Sequence, residues 1–261
     1  MPRLPARRRL ATPRAVAALI LREMSTRYGA TPGGYLWAVA EPLGMIAVLA
    51  IAFSVLVRSP SLGESFILFY ATGYLPFHLF NQLAGLVMWS MAFSRPLLNY
   101  PVVTWIDTIL ARFMLNAMTS VLVAYGMLAV ILALTDTRAV LDMGPIVHGF
   151  GMAMVLGLGV GAFNCAAVGM FPVWQQVWGI ATRPLFIASA VIFIMEDLPA
   201  SAQAILWWNP LVHVTGMVRT GFYATYAPDY ISGVYVWAVG LMAMAAGFLL
   251  LRRFHRDILS R

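Results

Sequence analysis

Residues 26–42 read TRYGATPGGYLWAVAEP. The stretch opens as a basic, glycine-rich turn and becomes a hydrophobic run within a few residues. It then carries an acid, Glu41, followed directly by Pro42. The run continues apolar to about residue 57, so this is the start of a helix that crosses lipid. Such a helix must accommodate a carboxylate and a proline near its own beginning.

Composition agrees. The chain of 261 residues is 61% hydrophobic and 10% charged, against roughly a quarter charged in ordinary soluble domains. A water-soluble core cannot hide that much apolar surface, so lipid must be part of the solvent. Six segments are long enough for a hydrocarbon core that takes roughly 20 residues to cross. They are 34–57, 66–93, 106–134, 145–170, 175–195 and 233–251. All 17 basic residues are arginine. The single cysteine, Cys165, lies in an apolar run, forms no internal disulfide, and has no companions at metal-ligand spacing.

Arginine placement gives the orientation. Seven arginines precede the first span, Arg95 follows the second, and Arg252, Arg253, Arg256 and Arg261 follow the sixth. These 12 share one side if both termini are cytoplasmic, against Arg58, Arg138 and Arg219 on the other. Trp37, Trp89, Trp105, Trp174 and Trp178 then mark the cytoplasmic interface, and Trp207, Trp208 and Trp237 the outer one.

Upstream, Arg7-Arg8-Arg9 is followed only by a short apolar stretch bracketed by Arg14 and Arg22, which does not make an export signal. Residues 14–28 instead predict an amphipathic interfacial helix. Val16, Ala17, Ile20, Leu21, Met24 and Tyr28 form its apolar arc; Arg14, Arg22, Glu23, Ser25 and Thr26 form the polar one. The loop 94–104, SRPLLNYPVVT, is too short for a domain and too apolar for a solvated linker. It suits either a helix docking into a partner or a tight connection between spans. Between the fifth and sixth spans, two apolar runs at about 201–208 and 211–226 are broken at Asn209-Pro210. Each is too short to cross, and the crowding of Trp207, Trp208, Phe222, Tyr223 and Tyr226 is unlike a solvated loop. A re-entrant pair of short helices, buried against the bundle, is expected.

No phosphate-cradling GxxxxGK[ST] run and no Ser-His-Asp set is present, and the four histidines are scattered. The sequence points to no catalytic residue, metal site or bound cofactor. Gly157 and Gly161 form a GxxxG pair, whose first meaning is close helix packing. The informative polar residues lie inside the spans, where charge is costly. These are Glu41, Asp107, Arg112 and Arg183, which either pair structurally or face a hydrated path.

Taken in order, several features resemble the permease subunits of ABC-2 type exporters. They are the interfacial helix, the 26–42 stretch, six spans, the proline-containing loop, TRPLF at 182–186 and NPLVHVTGMVRTGFY at 209–223. Within that family the Gram-negative capsular polysaccharide export permeases are most similar, over residues 14 to 258. An acid commonly sits three residues before the arginine of the outer motif in that family; here the place is Gly216. No salt bridge to Arg219 is therefore implied.

The resemblance implies a single all-α transmembrane domain over 1–261 in the bacterial inner membrane, with both termini cytoplasmic. Two copies would enclose a pore, with two separate ABC ATPase subunits binding ATP and magnesium below. The cargo would be a lipid-linked glycan, handed to periplasmic and outer-membrane components, and no nucleic acid is involved. Path candidates are Tyr35, Trp37, Glu41, Tyr70, Tyr74, Arg183 and Phe186, because aromatic rings stack on sugar faces and Arg183 suits an anionic headgroup. Arg95, Leu97, Leu98 and Tyr100 would contact the ATPase, and Trp207, Trp208, Asn209, Pro210 and Arg219 would form an outer gate. The alternatives are another cargo (O-antigen, teichoic acid or a drug) or a membrane enzyme acting on lipid-linked phosphate. For the enzyme, Glu41 and Asp107 are the only intramembrane acids that could hold magnesium.

Overall fold

The computed structural model describes residues 11–27, 34–98, 103–135 and 141–260. Ten α-helices and no strand occur among these residues. They are α1 (Ala11–Arg27), α2 (Gly34–Leu56), α3 (Phe66–Met88), α4 (Ser90–Leu98), α5 (Trp105–Leu134), α6 (Met143–Met170), α7 (Trp174–Ala188), α8 (Ala200–Leu206), α9 (Pro210–Thr220) and α10 (Gly233–Ser260).

Among the described residues, four helices are long and apolar enough to cross a membrane: α2, α5, α6 and α10. The helix α3 has 23 residues, about 35 Å at 1.5 Å per residue, so it has the length. It is the central helix, with Leu68, Leu75, Leu79 and Leu83 almost fully buried. Because protein rather than lipid surrounds most of it, its sequence can afford the half-buried His78 and Gln82, while Asn81 lies on its exposed side. The helix α7 departs from expectation. It has 15 residues and ends at Ala188, not 195, and about 22 Å does not reach across a ~30 Å core.

The core is a stack of α3, α6, α9 and α10, and glycines on different faces of α6 set its spacing. A Cβ at Gly157 would come within 2.8 Å of Leu83 Cβ on α3, and one at Gly161 within 2.7 Å of Val87 Cβ. On another face, a Cβ at Gly159 would strike the Gly240 carbonyl of α10. The GxxxG pair therefore does what such pairs do, letting backbones approach where no hydrophobic drive separates helix from lipid.

Helix starts follow local chemistry. Thr104 and Asp107 form a capping box at the start of α5: the Asp107 carboxylate accepts from Thr104 N at 2.8 Å, and Thr104 Oγ1 accepts from Asp107 N at 3.3 Å. Ser65, Asp142 and Asn209 cap α3, α6 and α9 through their side chains.

The face of α1 differs from the predicted one. Val16, Leu19 and Glu23 are buried, while Leu21 is 68% exposed. The helix is turned so that Glu23 meets Arg112 of α5, Oε1 accepting from Nε at 2.9 Å. The intramembrane charges therefore do not pair among themselves. Asp107 caps its own helix, Arg112 finds Glu23, and this is the only ion pair among the described residues.

Candidate translocation site

Two elements, α2 and α7, bury few of their residues. Among the described side chains of α2, only Pro42, Ile46, Leu49 and Ala50 are buried, a stripe at helical spacing that meets α3. The opposite face carries Trp37 (63% exposed), Glu41, Val48 and Ile51. In α7 no residue is buried. Its half-buried side, Trp174, Trp178, Thr182, Leu185 and Phe186, faces the bundle, and Gln175, Gln176, Ile180 and Arg183 face away. A carboxylate and a guanidinium thus sit on the outward faces of two sparsely covered helices. The side chain of Tyr35 lies outside the described residues.

Between these helices runs a ladder on α3. Phe66, Tyr70, Tyr74, His78 and Gln82 recur every fourth residue and so share one face. Tyr70 contacts Phe53 of α2 with ring centroids 5.3 Å apart. Tyr74 and Phe77 meet Phe186 of α7 edge-on at 6.2 and 5.4 Å. The Tyr74 hydroxyl lies 3.3 Å from His78 Nδ1, and Gln82 accepts from Ser120 Oγ of α5. Tyr70 and Tyr74 are 3% and 8% exposed, so these two path candidates form a buried layer behind Trp37 and Glu41. His78 and Gln82 belong to the same layer. Scattered histidines concealed them in the sequence; the period of four from Tyr70 reveals them.

Pro42 adds to this layer. It has no N–H for the carbonyl of Ala38 and crowds it. Beside it lies a cavity of about 10 Å³ lined by Ala38, Pro42, His78, Gln82, Thr119 and Ser120. That is room for about one water with several polar partners, the kind of site that replaces a hydrogen bond lost to a proline inside a span.

At the end of the bundle bearing α9, α7 unwinds into irregular backbone over residues 189–194. Buried carbonyls there need donors. Asn209 Nδ2 donates to Ala188 O at 2.9 Å and Thr215 Oγ1 to Ser189 O at 2.9 Å. Arg219 Nη1 donates to Ala190 O and Phe193 O, both at 2.7 Å, and Nη2 to Val191 O at 2.8 Å. Five successive or near-successive carbonyls are served by three side chains, from α9 and its N-cap Asn209. Arg219 is 1% exposed and lies 4.2 Å over the Phe69 ring. Ala190 takes φ +55°, left-handed backbone that usually ends a helix on glycine. Gly216 is also explained: a Cβ there would strike the Tyr230 hydroxyl. Tyr226 donates to Glu196 at 3.1 Å and contacts Tyr230 at 3.1 Å. Burial pushes the Tyr230 phenol up to about 12 and raises Tyr226 as well, so both remain neutral hydroxyls.

The short helices α8 and α9 are unlike each other. Eight of the eleven residues of α9 are buried, and none of α8 is. Trp207 stacks on Tyr235 at 5.1 Å, while Trp208 is 69% exposed. Pro210 opens α9 at its first position, which the missing N–H suits.

At the opposite end, α4 occupies much of the predicted coupling loop. Arg95 is exposed and donates to Leu259 O at 3.0 Å. Leu97 packs with Val16 and Leu19 of α1, and Leu98 with the cluster around Leu251. Both leucines therefore point inward, and Arg95 and Pro96 hold the outward positions. Tyr100 lies outside the described residues. Beside α4 is a cavity of about 310 Å³ lined by Trp89, Arg95, Gln175, Ile258 and others. No group of three potential metal ligands occurs among the described residues.

Helices long and apolar enough to cross a membrane, with an aromatic layer packed among them, define a helical membrane protein. Residues 14–223 match the family described as ABC-2 type transporter, and the chain belongs to that family. It is 29% identical to the polysialic acid transport protein KpsM of Escherichia coli, over 94% of this chain and 95% of that one. It is 25% identical to two capsule polysaccharide export inner-membrane proteins, CtrC of Neisseria meningitidis serogroup B and BexB of Haemophilus influenzae, over 94% of this chain and 92% of each.

Proposed function

We propose that the chain is the inner-membrane permease subunit of an ATP-driven exporter of lipid-linked capsular polysaccharide. The observation that carries the reading is the placement of Glu41 and Arg183 on the outward faces of α2 and α7, in a chain whose relatives are named for polysaccharide export. An unpaired charge facing hydrocarbon is costly. A second copy turned to face α2 and α7 would enclose both charges in a hydrated path, with Trp37 at the wall and the Tyr70–Tyr74–His78 ladder behind it. Six crossings are then α2, α3, α5, α6, α7 with its unwound end, and α10. The arginine-rich end with α1, α4 and the end of α10 lies in the cytoplasm, where two ABC ATPase subunits supply ATP hydrolysis. The α8–α9 end faces the periplasm and the export components beyond it.

Co-purification with an ABC ATPase, and stimulation of its ATP hydrolysis by a lipid-linked acidic glycan, tests the assignment. Arg183→Ala should cut surface polysaccharide while the ATPase still co-purifies. Arg183→Lys should recover only part, because a point charge replaces a bidentate fork. Unchanged export by the alanine variant would remove α7 from the path.

A further inference from the structure

We infer that Asn209, Thr215 and Arg219 are positioning residues that pin the outer end of α7 to the core, so that α7 works as a lever pivoting about residues 188–193. The inference rests on the reading of α7 as a wall of the export path.

The pinning is directional. All five carbonyls lie at one end of α7, and all three donors belong to α9 or its cap. That helix is itself seated in the core: Gly149 of α6 lets Val218 approach to 2.5 Å of where a Cβ would be. The other end of α7 has no comparable hold. Its side chains are at most half-buried, Trp174 Nε1 donates to Asn164 at 2.9 Å, and the turn before it exposes Phe171 and Val173. Force delivered at the arginine-rich end therefore swings the Trp174–Arg183 half and leaves residues 188–193 in place. Arg219 makes no ion pair among the described residues, so main-chain carbonyls and not a counter-charge among them hold it. The left-handed Ala190 turns the chain back under the guanidinium, bringing three carbonyls to its two terminal nitrogens. On this account the outer helices divide in function: α9 is the fixed bearing, and α8, with no buried residue, is the part free to move.

A covalent tie distinguishes a bearing from a cargo contact. In the full exporter with Cys165→Ser, Met195→Cys and Val212→Cys replace side chains that share one apolar cluster with Ala190. Val168→Cys and Gln175→Cys replace two residues on the cavity at the other end. Arg219→Met should lower export by roughly tenfold or more, as loss of a buried charge-assisted hydrogen bond would. Oxidising the 195/212 pair should leave export intact in the Arg219 background and restore it in the methionine variant. Oxidising the 168/175 pair should stop export, reversibly on reduction. If Arg219→Met does not reach the membrane, Thr215→Val removes a single contact and the same rescue is scored. Export blocked by the 195/212 tie, absence of rescue, or export that survives the 168/175 tie would each overturn the pivot. An inert Arg183 would overturn the path reading instead, and the rescue result does not depend on it.

Discussion

A buried arginine has to be answered by something, and this chain answers two of them differently. Arg112 takes a carboxylate, Glu23, with both side chains under 10% exposed. Removing one partner of such a pair leaves an uncompensated charge and costs about 3–5 kcal/mol. Glu23→Gln or Arg112→Met should therefore lower the thermal midpoint of the purified protein markedly, and the double change Glu23→Leu/Arg112→Met should recover most of it. If the double variant is no better than the singles, the pair is not what seats α1. Arg219 takes main-chain carbonyls, and the place three residues before it is filled by the Tyr230 hydroxyl. Gly216→Ala should destabilise by about 1–3 kcal/mol as an overpacked site, and Tyr230→Phe should give back part of that loss. The measurement is again a thermal midpoint, and a neutral Gly216→Ala would mean that the loop carrying Tyr230 yields freely.

At the scale of elements, the sequence was most legible where period and length coincide. The spans at α2, α5, α6 and α10 and the break at Asn209 follow from apolar runs and one Asn-Pro step. The early end of α7 was not legible, because residues 189–195 are as apolar as a helix would be. What stops the helix is Ala190 in a left-handed conformation together with donors about twenty to thirty residues away. The face of α1 was misread for a related reason: Glu23 looks like a solvated residue until Arg112 is placed beside it. The inward leucines of α4 give a third case. Leu97→Asp/Leu98→Asp should unseat α1 as well as any partner, whereas Arg95→Glu should weaken ATPase co-purification and leave folding intact. Full ATPase retention by Arg95→Glu would take the outward face of α4 out of that contact. Glycines give an internal control on packing. Gly159→Ala should lower stability, while Gly179→Ala, where an added Cβ meets nothing within 4 Å, should be neutral or raise it by up to about 1 kcal/mol.

Across the whole molecule, α3, α6, α9 and α10 pack into one body, and α2 and α7 lie largely exposed against it. Path candidates read from the sequence fall into both parts: Trp37, Glu41 and Arg183 on the outward faces, Tyr70 and Tyr74 behind them. Composition marks them all as aromatic or charged residues in spans, and only the packing separates wall from backing. The separation can be measured. In a Cys165→Ser background, Ile180→Cys on α7 should react with membrane-impermeant aqueous thiol reagents in the assembled exporter. Leu249→Cys on α10, which is 64% exposed but faces lipid on this reading, should not react. Equal protection of both would place α7 against lipid rather than beside water.

The hold on α7 also bears on how such a chain can change over generations. Every amino acid brings a carbonyl, so substitutions along residues 188–193 leave the acceptors that Arg219, Thr215 and Asn209 need. Only three codons, all on the α9 side, can delete a donor. The exposed face of α7 is thereby free to drift in side-chain chemistry without the scaffold having to drift in step, whereas Ser189, Ala190 and Val191, which are buried, are held by their packing as well.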